Sequence, residues 1–180
     1  MAFFFADWND VHKLSTRTHT GLVWCTGITA LVLFAGLAWY LAPLEPGVLV
    51  LQFAFSPRAF GSVVHAWSPE QLHRFRLHLP IDGALLLSYG GFGYLLATHT
   101  RFFAPRRRWY RIWVTWALPW AAVFDAGENV WHWWLTEVPR LGVQLPYPLA
   151  AGCASAKWLL LVAYAMTVVL ALARPQRAQP

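Results

Sequence analysis

Four stretches of the chain run apolar for about the 20 residues that a helix needs to cross a bilayer. They cover roughly residues 21–41 ("GLVWCTGITALVLFAGLAWYL"), 79–98 ("LPIDGALLLSYGGFGYLLAT"), 109–134 (opening "WYRIWVTWALPW") and 149–173. Residues 42–78, between the first two, contain two Ser-Pro steps, Ser56-Pro57 and Ser68-Pro69. Serine is a good helix N-cap and proline suits the first helical position. Ser68 and Gln71 also have the spacing of a capping box. The pattern predicts a short helix over 57–66 and a second that starts at Pro69, merges into the second span and bends near Pro80. Phe60, Val63, Val64 and Trp67 fall at helical spacing, which predicts a segment at the outer interface, about 56–78, folded over the bundle mouth. The expected fold is all-α, one domain over 1–180: an integral membrane four-helix bundle with this interfacial segment between spans one and two.

Composition agrees with the pattern. The hydrophobic fraction is 58% and the charged fraction 12%, where a soluble domain carries about a quarter charged residues. The opening "MAFFFADWNDVHKLSTRTHT" has acids where a signal peptide would be basic, and its apolar piece is short, so the first span is expected to be retained. Lys13, Arg17, Arg101, Arg106, Arg107, Arg108, Arg111, Arg174 and Arg177 cluster on one side of the predicted spans, against Arg58, Arg74, Arg76 and Arg140 on the other. Excess Lys/Arg marks the cytoplasmic side. The expected location is the inner (plasma) membrane, multi-pass, with both termini cytoplasmic. The net charge of +6 is mostly this topological signal, and "RRRWYR" reads as a juxtamembrane segment rather than a nucleic-acid site. Cys25 and Cys153 fall near opposite ends of their spans, too far apart to bridge.

Polar residues inside the apolar runs carry the candidate chemistry. "VFDAGENVWHWW" (123–134) places Asp125, Glu128, Asn129 and His132 in a Trp-rich span. Asp125 and Glu128 share a helix face, and His132 follows Glu128 by four. At 1.5 Å per residue Asp125 lies about 21 Å beyond Arg111, in the outer half of the bilayer, and Asp82 about 6 Å inside the outer boundary. Lys157, counted back from Ala173, falls at similar depth. A charge inside a bilayer costs on the order of 3 kcal/mol, so such residues face the bundle interior and pair. Three acids and one lysine do not balance: one or two acids carry a proton, or a cation, an arginine or His132 completes the set. Such a cluster is either a functional site or a hydrogen-bonded network that ties the helices together.

Several chemistries can be compared on these residues. The D-x-x-E-x-x-x-H spacing resembles that of helical metal sites, but Lys157 already neutralises a carboxylate. His78 and His132 could bracket a haem, yet both are expected at the membrane boundary, with His99 at the far end. No metal and no cofactor is therefore expected. General acid/base work on an apolar ligand remains, with Glu128 as the proton-handling carboxylate, Asp125 and Asp82 beside it, and His132 relaying a proton to water. Trp24, Trp39, Trp116, Trp120, Trp131, Trp133, Trp134 and Trp158 supply flat apolar surface, most of it attributable to the membrane interface.

The motifs "LQFAFS" (51–56), "LPIDGALLLSY" (79–89) and "DAGEN" (125–129) resemble those of a set of small bacterial four-helix membrane proteins that share L-Q-x-A, an Asp opening span two with a Tyr two turns on, and D-x-x-E-N in span three. The resemblance implies that Gln52, Asp82, Tyr89, Asp125, Glu128 and Asn129 belong together. A looser, topological likeness runs to the emopamil-binding (EXPERA) membrane proteins, which include sterol isomerases. They too have a long loop after the first span and intramembrane acids around a lipid pocket, although here the acid pair comes late in span three.

Two functions are thus expected from the sequence. One is binding or converting a lipid-like, sterol- or terpenoid-like small molecule, as an isomerase or lyase would, with Asn129, Lys157, Tyr89, His132 and Gln52 holding it. The alternative is an accessory subunit of a larger membrane complex, or a homo-oligomer, with the acids as interhelical glue. The bilayer is the expected partner in both, and nucleic acid in neither.

Overall fold

The computed structural model describes residues 8–103, 107–137, 140 and 142–173, with side chains from residue 20 onward. Among the described residues there are six helices and no strand: α1 Trp8–Leu41, α2 Val48–Gln52, α3 Pro57–Ala66, α4 Pro69–His99, α5 Arg108–Glu137 and α6 Pro146–Leu172. Three of them are long and apolar enough to cross a membrane: α1 over Thr20–Leu41, α4 and α6. This is a helical membrane protein. The third predicted span is a helix of 30 residues but does not belong to that set. Its arginines, acids and many tryptophans lower its mean hydropathy, and nine of its residues, Asp125 and Glu128 included, are buried inside the protein.

The long helices pack in series, α1 on α4, α4 on α5 and α5 on α6. Small residues permit the close approach of α4 to α5. A Cβ added at Gly93 would lie 2.6 Å from Leu118 Cβ, and one at Gly90 would lie 3.1 Å from Ala122 Cβ. Large apolar side chains on the outer faces are exposed, among them Trp24, Trp39, Trp109 and Trp120. Water would penalise such a surface, and hydrocarbon does not.

The two Ser-Pro steps start helices. Ser56 Oγ accepts from the Ala59 amide at 3.2 Å. Ser68 Oγ accepts from the Gln71 amide at 3.2 Å, while Gln71 Oε1 accepts from the Ser68 amide at 2.9 Å. Pro80 lies within α4, which is continuous from Pro69. Phe60 and Val63 of α3, with Trp67 behind them, are buried in one cluster with Leu44, Leu51, Phe75, Leu79, Leu135 and Tyr147. That cluster joins the start of α4, the end of α5 and the start of α6, so α3 caps one end of the bundle.

Two features exceed the sequence reading. α1 begins well before the first apolar run, because polar residues extend a helix that hydropathy registers only where it is apolar. The five-residue α2 is too short to show a periodicity. The turn between α1 and α2 is held by side chains from beyond it. Trp67 Nε1 donates to Pro46 O at 2.8 Å, Gln71 Nε2 to Pro43 O at 3.0 Å, and Arg74 Nη1 to Tyr40 O at 3.1 Å. Cys25 and Cys153 are both free thiols. Of the basic residues that set the expected orientation, Arg106, Arg174 and Arg177, and the side chains of Lys13 and Arg17, lie outside the described residues.

Replacing Gly93 by Ala should force α4 from α5 and lower stability by about 1–3 kcal/mol, the usual range for overpacking. Gly91→Ala, whose Cβ would meet nothing within 4 Å, should be close to silent. Unfolding in mixed detergent, followed by tryptophan fluorescence, compares the two.

Candidate functional site

The polar residues of the apolar helices meet in one layer. Lys157 of α6 is 4% exposed, and its Nζ lies 2.8 Å from Asp125 Oδ1 and 2.6 Å from Glu128 Oε2, both on α5. The first contact has hydrogen-bond geometry. The second is a close charge contact, with Oε2 outside the angular range of a hydrogen bond. Asp125 and Glu128 stand three residues apart, so one helix face presents both carboxylates to one ammonium. Lysine's three donors make a forked contact of this kind possible.

α4 joins the layer twice. Tyr89 donates its hydroxyl to Asp125 Oδ2 at 3.1 Å, and Asp82 Oδ2 accepts from Asn129 Nδ2 at 2.6 Å. Asp125 therefore accepts through both oxygens, one from α6 and one from α4. Taking such charges out of water is unfavourable, and the attraction offsets it only with good geometry and satisfied partners. With all groups ionised, three carboxylates face one ammonium, a surplus of negative charge that a proton or a ligand would relieve.

His132 does not have the position expected of it. Its Nδ1 is 3.6 Å from Glu128 Oε1, but the ring is 1% exposed and lies 5.9 Å, centre to centre, from both Phe60 and Phe75. The expected relay from His132 to water is closed, because α3 folds Phe60 over that end of α5. His78, expected at the boundary, is buried as well. Phe75 packs against both imidazoles, its ring centre 4.7 Å from that of His78 and edge-on to His132. Depth counted along separate helices misses both burials, since it says nothing of what an intervening segment covers. Among the described residues no three His, Cys, Asp or Glu converge as a metal site.

A cavity of about 750 Å³ adjoins this layer. One wall is α1, and α2 and its turn close one end. The α4 stripe His78, Asp82, Leu85, Tyr89 and Phe92 forms its floor, with Asp125 and Asn129 from α5 and Lys157, Trp158 and Leu161 from α6. Those α4 positions recur at helical spacing, one face of one helix. Leu31 and Phe34 of α1 line the cavity and are more than half exposed, so its mouth lies on an outer, apolar face of the bundle. Gln52 reaches the cavity from the end of α2, where its Oε1 accepts from Trp158 Nε1 at 3.0 Å. Gln52 is thus at the cavity but outside the acid–lysine network, whereas Glu128 and His132 are in or beside the network but do not line the cavity. His78 and Trp158 are the lining polar residues that the sequence did not single out for the site. His78 precedes Asp82 by four, and that spacing was the available signal.

Removing Lys157 should leave Asp125 and Glu128 facing each other without a counterion. Lys157→Met should destabilise the fold by about 3–5 kcal/mol, the range for breaking one side of a buried pair. Adding Asp125→Asn and Glu128→Gln to it should restore part of that loss. Detergent unfolding of the single and triple variants measures both effects. No known family, curated protein or solved structure matches the chain, so the arrangement of its own side chains carries the functional reading.

Proposed function

We propose that the protein binds an apolar, lipid-like small molecule in the cavity between α1 and α6, and acts on it by moving a proton. The observation that carries this reading is the cavity itself: a space of about 750 Å³, within the range of small-molecule sites, apolar over most of its lining with a few convergent polar groups. Its exposed rim is made of residues such as Leu31 and Phe34, which suits entry from lipid. The carboxylates of Asp82 and Asp125 line it and are the groups that would meet the ligand. Glu128 then acts through Lys157, sharing the ammonium and so setting how strongly Asp125 holds a proton. Tyr89 and Asn129 orient the two aspartates.

The same reading takes α5 as a fourth span, packed between α4 and α6 with its acids turned inward, and keeps both termini on the cytoplasmic side of the inner membrane. A second reading, an accessory subunit with the acids as glue, draws support from the direct pairing of α5 to α6 through Lys157. It leaves the cavity without a use.

Two experiments test these statements. With Cys25 and Cys153 replaced by Ala, Ser62→Cys should be labelled by an impermeant maleimide on intact cells, and Phe103→Cys only after lysis; the opposite pattern overturns the orientation. Gentle organic extraction of the purified protein, with mass spectrometry, should release a small apolar molecule in near-stoichiometric amount. Ala38→Trp, which places a large ring in the cavity wall, should lose it. Asp125→Asn should accumulate unconverted ligand, while Glu128→Gln should slow turnover without removing the ligand. Protein that is equally empty in the wild type and in Ala38→Trp would refute the ligand-binding reading.

A further inference from the structure

Resting on that reading of the cavity, we infer that the ligand's polar end is a hydrogen-bond donor, best met by a hydroxyl, and that His78 receives it. The tautomer of His78 is set by its neighbour. Its Nδ1 lies in hydrogen-bond contact with the Phe75 carbonyl, and a carbonyl oxygen only accepts, so Nδ1 carries the hydrogen. In the neutral ring Nε2 is then an acceptor. No described donor meets it, although His78 is 6% exposed and lines the cavity. An acceptor on an apolar cavity wall gains free energy from a donor, and a ligand in the cavity can supply one.

The surrounding atoms favour the same kind of end group. Asp82 lies one turn along α4 from His78. One of its oxygens accepts from Asn129, and the other has no partner among the described residues. Asn129 gives one amide hydrogen to Asp82 and keeps the other, with its oxygen as an acceptor. The Lys157 ammonium is engaged by two carboxylates, which leaves one of its three N–H donors. Donors remain as well: the Gln52 amide, whose oxygen already accepts from Trp158, the second Asn129 N–H and the third Lys157 N–H. A carboxylate or phosphate end would meet acceptors and negative charge. An ether or ester would satisfy these donors and leave His78 Nε2 unmet. A hydroxyl both donates and accepts, and it satisfies the two sides together.

Dodecan-1-ol and its methyl ether, 1-methoxydodecane, separate these cases by a single O–H. Binding of each to the full chain in lipid nanodiscs is measured by saturation-transfer NMR titration, with Ala38→Trp as the blocked control. The wild type should prefer the alcohol by about tenfold, the scale of one hydrogen bond whose acceptor is otherwise unmet. Dodecanoate should bind more weakly than the alcohol. His78→Phe keeps an aromatic ring and removes the acceptor, and it should erase the preference, bringing alcohol and ether to similar affinities. Equal affinity for alcohol and ether, or a preference that survives in folded His78→Phe, overturns the assignment while saturable binding upholds the cavity. If neither compound binds saturably, or Ala38→Trp binds both as well as the wild type, the cavity reading falls and this inference with it. Should His78→Phe fail to fold, the wild-type comparison of alcohol with ether still decides.

Discussion

Lys157 sits between Asp125 and Glu128 with almost no exposure, and the arrangement of the bundle depends on that contact. An ammonium buried in an apolar helix is tolerable only if its counter-charges are also buried beside it. The rotation of α6 and the face that α5 presents are thereby fixed relative to one another. Tyr89 extends the constraint to α4, because Asp125 has a second oxygen to satisfy. The Asp82–Asn129 bond repeats it about one turn further along α5, on the same face. Buried ion pairs add little net stability over well-packed apolar residues. Their effect here is to select one register among those that apolar packing alone would allow, since a slip of one residue on α5 would turn both acids away from Lys157.

That network is one-sided, and the cavity follows from it. α4, α5 and α6 are joined through their polar layer, whereas α1 packs chiefly against α4 and, among the described residues, takes no part in the charge pairing. Its wall of the cavity is made of Gly27, Ala30, Leu31, Phe34, Leu37, Ala38 and Leu41, with no side chain that could bond to the acids opposite. Three helices held by charge and one held by apolar contact leave a gap whose floor is polar and whose rim is apolar. The turn after α1 is pinned by Trp67, Gln71 and Arg74, and this closes the gap at the α2 end without filling it.

The capping segment has a comparable logic. α3 is too short to be stable alone, and helices of that length draw their stability from packing. Its Ser56 cap and the burial of Phe60 and Val63 supply what its length does not. The consequence falls on His132 and Glu128, which become enclosed. Asp125, nearly one turn deeper on α5, and Asp82 of α4, level with Asn129, are the acids that reach the cavity.

The chain's own pattern was enough to determine the helices. Runs of about 20 apolar residues, two Ser-Pro caps and a capping box mark α1, α3, α4 and α6 because each is a local property, periodic or confined to a few neighbouring residues. It also determined which polar residues had to come together, since charges inside apolar runs have nowhere to go but toward one another. α2 was not legible, being too short for a period, and neither was the polar extension of α1. Tertiary structure alone decided how the cluster divides: Asp82, Asp125, Asn129 and Lys157 at the cavity, Glu128 behind it, His132 sealed and His78 turned into the open space. Spacing along one helix gives the face on which a side chain lies. Whether that face meets a neighbouring helix, a capping segment or a void depends on elements far away in the chain, and a single sequence carries no direct record of those contacts.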